Sequence, residues 1–96
     1  MILHTLNCSS NSESFRDCLR TAQFGDAILL LGDGVYSALA NSESAQALHD
    51  SAAKVMALDT DVLAAGLETR LGSTPVVDMD GFVALSEYYP RQLAWY

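Results

Sequence analysis

From Ala27 to Leu31 five apolar residues follow one another without alternation, the pattern of a strand covered on both faces of a parallel sheet. Around this run the chain switches repeatedly between short apolar stretches and helical spacing. Met1 to Leu6 is apolar apart from His4 and Thr5 and runs into Asn7 to Ser14, dense in Asn and Ser, which predicts a strand entering a loop. Ser10 and Glu13 form a capping-box pair ahead of Phe15, Cys18, Leu19 and Ala22, which share one helical face, and Gly25 supplies a left-handed stop. Gly32-Asp33-Gly34 ends the central run sharply. Val35, Tyr36, Leu39 and Ala40 suggest a short helix, and Ser42 caps a second piece through Ala45 and Leu48 to Ser51. Ala53 to Leu58 reads as a third strand, with Asp59 or Thr60 capping a helix through Val62 and Leu63 that Gly66 closes. Pro75 introduces Val76 and Val77 as a fourth strand, Asp78 caps a helix carrying Phe82, Val83 and Leu85, and Pro90 ends it. Gln92 to Tyr96 is an aromatic tail with the makings of a short final strand.

Strands separated by helical segments imply right-handed βαβ units. The expected fold is a single α/β domain over residues 1–96, a small doubly wound three-layer sandwich. It has a mainly parallel sheet of four to five strands and helices on both faces. No repeat, linker or low-complexity segment interrupts it. Ligands of such sheets gather at the carboxyl ends of the strands, here Asn7 to Ser10, Gly32 to Tyr36, Asp59 to Asp61 and Asp78 to Gly81.

Composition narrows the function. Half of the 96 residues are apolar and 18% are charged, so the chain has the means to fold. Five Lys and Arg against twelve Asp and Glu leave a net charge of −7, which repels phosphate backbones and argues against direct nucleic-acid binding. No apolar run approaches the roughly 20 residues of a membrane span, and no basic-then-apolar leader opens the chain, so a cytoplasmic location is expected.

Few groups carry chemistry. Asp33, Asp59 and Asp78 follow strands, but a phosphate-accepting receiver also needs an acidic pair after the first strand and a late lysine. Here the first strand ends in Asn7 and Cys8, and the only lysine is Lys54. The three aspartates therefore read as caps and turn formers. Gly32-x-Gly34 lacks the third glycine of a dinucleotide fingerprint and reads as a tight turn. His4 and His49 have no neighbours at metal-ligand spacing, which leaves His4 as a packed, hydrogen-bonded histidine and His49 as a surface residue near a helix end. No cofactor or metal is expected. Cys8 and Cys18 are too far apart in sequence for a Cys-x-x-Cys redox centre. Cys18 sits in the apolar stripe of the first helix. Cys8 lies beside that helix's amino end, where free amides favour a thiolate. Tyr88, Tyr89, Leu93, Trp95 and Tyr96 form an aromatic cluster that either covers its own domain or contributes to a subunit interface.

The opening ILHTLN with its Ser-rich loop, the block from Gly25 to Tyr36 with Ala38, and the ending Phe82-Val83-x-Leu85 with Gln92-Leu93-Ala94-Trp95 together resemble the TusB/DsrH family of DsrE-like proteins over essentially the whole chain. Val55-x-Ala57-Leu58 and Ala64-Ala65-Gly66-Leu67 resemble the family's third strand and the helix after it. The resemblance implies a subunit working beside two paralogous DsrE-like subunits in a cytoplasmic heterohexamer that relays persulfide sulfur between upstream and downstream sulfur carriers. In one branch the sulfur goes towards 2-thiolation of wobble uridine in transfer RNA, and in the other the complex serves dissimilatory sulfur oxidation. The principal acceptor cysteine is on a different subunit in both, so this chain is expected to be structural or accessory and not catalytic alone.

Cys18 matches a first-helix cysteine of the sulfur-oxidation branch and is the candidate persulfide carrier; Cys8 stands where a basic residue is usual and is the lesser candidate. Either would have to act as a thiolate and be partly exposed. A stand-alone flavodoxin-like ligand-binding module using Asp33 and Gly34 is the rival reading, and a purely scaffolding homo-oligomer a third.

Overall fold

A computed structural model describes Met1–Tyr96. The chain alternates strand and helix throughout: β1 (Ile2–Leu6), α1 (Glu13–Thr21), β2 (Ala27–Leu30), a 3₁₀ helix (Gly32–Ala38), α2 (Glu43–Asp50), β3 (Lys54–Leu58), α3 (Asp59–Ala64), β4 (Val76–Val77), α4 (Met79–Tyr88) and β5 (Arg91–Trp95). All five strands are parallel in the order β4-β3-β2-β1-β5. The central run behaves as its composition requires: every residue of β2 is buried, between β1 on one side and β3 on the other.

Side chains alternate across a strand, so the register sorts them into two cores. Leu6, Ile28, Leu30 and Ala57 of the sheet form one core with Phe15 and Cys18 of α1, Val35 and Ala38 of the 3₁₀ helix, Leu48 of α2 and Val62 of α3. Leu3, Ala27, Leu29 and Met56 form the other with Tyr89, flanked by Phe82 and Leu85 of α4. Helices thus cover both faces, but unequally: four helical segments on one, α4 alone on the other. α4 has no fully buried residue.

Several local expectations shift. The cap of α1 is Ser12, whose hydroxyl accepts from Phe15 N–H at 3.2 Å, and not Ser10, because Ser9 to Ser12 first form a turn closed by Ser12 N–H to Ser9 O. The helix ends at Thr21, short of Gly25. Neither Asp59 nor Thr60 caps α3, which begins directly at the end of β3 with no side-chain cap. Ser42 and Asp78 do cap α2 and α4, accepting from Ala45 and Gly81 N–H at 3.1 and 2.8 Å.

Candidate functional site

The carboxyl edge of the sheet is built by β1, β2 and the two segments that follow β2 and β3. Gly34 lies directly against the Leu6 carbonyl, so close that any β-carbon would overlap it, while Gly32 takes a positive φ of 53° beside the Asn7 amide. Polar side chains then fasten the turn: Asp33 N–H donates to Asn7 Oδ1 at 3.2 Å and Gly32 N–H to Asp61 Oδ2 at 2.8 Å. A cleft of about 180 Å³ opens there, lined by Gly32, Asp33, Tyr36 and Asp61. A larger one of about 460 Å³ lies between α2 and the 71–75 segment, with Ser42, Gln46, His49 and Thr74 on its walls. Neither is lined by a thiol. No group of His, Cys, Asp and Glu side chains is placed to hold a metal ion.

The two cysteines are brought into one core. Cys8 is 7% exposed and Cys18 fully buried, and both are free thiols. Burial, with Cys8 nearby, pushes the Cys18 thiol up to about 12. A thiol held so high carries almost no thiolate at neutral pH, and the thiol form neither attacks nor accepts sulfur effectively. In this packing Cys18 is a small core hydrophobe.

The aromatic cluster divides. Tyr89 is buried in the second core and Trp95 packs against the first. Tyr88, Leu93 and Tyr96 stay exposed, at 68%, 41% and 81%. Trp95 is held by a connection that sequence reasoning did not assemble. Its indole N–H donates to His4 Nδ1 at 3.1 Å, and His4 Nε2 sits 2.9 Å from Asp26 Oδ2. With Nδ1 accepting, the neutral ring donates from Nε2 to the carboxylate. Asp26 also accepts from Ile2 N–H (3.0 Å) and Gln23 N–H (3.1 Å). Burial pushes its carboxyl up, but the hydrogen bonds from His4, Gln23 and Ile2 outweigh it and hold the group below the ordinary range. The packed, hydrogen-bonded His4 was legible. Its partners, one at the foot of β2 and one at the far end of the chain, were not, since no local spacing links them.

Comparisons with known proteins agree over nearly the whole length. The family described as DsrH like protein matches residues 8–92. The chain is 40% identical to Protein TusB of Pectobacterium carotovorum subsp. carotovorum (strain PC1), covering 98% of this chain and all of that one, and 39% identical to Protein TusB of Sodalis glossinidius (strain morsitans) over the same shares. Among solved structures it resembles Tm0979 from Thermotoga maritima, with a TM-score of 0.69 and 27% identity over 92% of this chain and 93% of that one. It also shares the fold of the ychN protein from E. coli, with a TM-score of 0.76 and 13% identity over 98% and 97% of the two chains.

Proposed function

Because the chain belongs to the TusB/DsrH family, we propose that it is the architectural subunit of a cytoplasmic sulfur-relay complex, seated beside two paralogous DsrE-like subunits in a heterohexamer. The complex passes persulfide sulfur towards 2-thiolation of wobble uridine in transfer RNA. Full-length similarity to proteins named TusB carries the choice of this branch over sulfur oxidation. What supports an accessory role is the state of the thiols: a relay station must present a thiolate to an incoming persulfide, and this chain buries both cysteines. Cys18 is an acceptor only in a state of the complex that lifts α1 and uncovers it. The net charge of −7 supports a subunit that leaves the RNA to others.

The test is co-expression with the two paralogous subunits, followed by intact-mass analysis of every chain after exposure to a persulfide donor. Stable co-purification, with a gain of one sulfur atom on a partner and none on this chain, is the expected result. A chain that ignores both paralogues would overturn the proposal. A reducible sulfur adduct on this chain, lost in Cys18→Ser, would instead make it a carrier in its own right.

A further inference from the structure

β5 is an edge strand whose open side is ordered by its pairing with β1. Asn7 N–H donates to Trp95 O at 2.9 Å, so the Trp95 carbonyl points inward. Backbone polar groups of successive strand residues alternate in direction, which turns those of Arg91, Leu93 and Trp95 towards β1 and leaves those of Gln92 and Ala94 on the open edge. Four of the five β5 residues are exposed, and Leu93 is 41% exposed although apolar. An edge of this kind is a template for another strand.

From this edge we propose that two copies of this chain pair through antiparallel β5 strands, centred on Leu93, into one continuous sheet. In that register Gln92 faces Ala94 of the second copy and Ala94 faces Gln92. These are the residues whose backbone groups are free, and they form about four hydrogen bonds around the two-fold axis. Leu93 meets Leu93 as a non-hydrogen-bonded pair, in which side chains lie closest. Arg91 comes opposite Trp95 on the same face, a cation beside an aromatic ring.

A second feature agrees independently. α1 packs over both β1 and β5, and its exposed charges alternate from Glu13 through Arg16 and Asp17 to Arg20. Asp17 and Arg20 are joined to each other at 2.7 Å, which leaves Glu13 and Arg16 without an ion-pair partner in the chain. The two-fold axis sets the two α1 helices antiparallel, so the alternating order of one runs against its reverse on the other, a self-complementary arrangement. The opposite edge offers nothing comparable, since β4 has only two residues.

Register makes the proposal testable by disulfide trapping on the full chain. Leu93→Cys places two thiols at the closest cross-strand pair, within reach of a disulfide, whereas Gln92→Cys or Ala94→Cys alone does not meet itself. Mild oxidation should link Leu93→Cys into a dimer and leave each of the other two unlinked, while an equimolar mixture of the Gln92→Cys and Ala94→Cys proteins should cross-link. Ala94→Pro removes an edge N–H that serves no bond within the chain. It should elute as a 10.3 kDa monomer with native circular dichroism, where the unmodified protein elutes at twice that mass. A native chain that stays monomeric at high concentration, or Leu93→Cys cross-linking no better than Gln92→Cys, would overturn the pairing.

Discussion

His4 holds three distant points of the chain together, and the consequences can be measured at single side chains. Replacing it with Phe keeps the volume but leaves the Trp95 indole without an acceptor and the buried Asp26 carboxylate without its ring donor. The expected loss is about 3 kcal/mol in urea unfolding, reported by the fluorescence of Trp95, the only tryptophan. Asp26 also sets an acid limit. Its folded carboxyl lies below the ordinary 3.8, so its contribution is present above that value and is lost as the pH falls through the folded pKa. Stability should therefore begin to fall below about pH 4, and Asp26→Asn should flatten this acid limb while lowering stability at neutral pH. An acid limb unchanged in Asp26→Asn would assign the effect to other carboxylates. For Cys18 the expectation is kinetic: at pH 8 a maleimide should label it only as fast as the protein unfolds, because a thiol pushed up to about 12 offers almost no thiolate.

Elements show where pattern sufficed and where it did not. The parallel sheet was legible because Ala27 to Leu30 is apolar without a break, and four strands follow from runs and punctuation, while the aromatic tail, which had only the makings of a fifth, forms β5. The exchange of Ser10 for Ser12 as a cap was not, because both serines precede the same apolar face and only the turn closed by Ser12 N–H to Ser9 O decides between them. Ser12→Ala should then cost about 1 kcal/mol and Ser10→Ala close to nothing, compared by thermal unfolding. Asp59 was misplaced because β3 passes into α3 with no intervening residue, a junction for which a cap pattern gives no signal. The Gly32-Asp33-Gly34 turn was legible as a turn, but its tightness was not, since it depends on how closely Gly34 approaches the Leu6 carbonyl. Gly34→Ala inserts a methyl group against backbone that cannot yield. A destabilisation of about 1–3 kcal/mol is expected. A neutral effect in urea unfolding would show that the 3₁₀ helix can slide away from β1.

At the scale of the whole molecule the imbalance between the two sheet faces has the largest consequence. One face lies beneath α1, the 3₁₀ helix, α2 and α3, the other beneath α4 alone, and α4 leaves Met79, Val83 and Tyr88 about half exposed or more. The free energy of opening a segment follows the apolar contacts it would lose, so α4 should open far more cheaply than the β1-β2-β3 centre. Hydrogen exchange in the isolated chain should find amides of β2 protected to the limit of global unfolding and those of α4 exchanging well before them. Apolar side chains left outward on a thinly held helix are also those with most to gain from a partner surface. If the proposed relay subunits dock on this face, their addition should slow exchange across α4 while β2, already at the global limit, rises only with overall stability. Exchange in α4 that does not change on assembly would place the partner contact on another face and leave α4 as a lid over the second core.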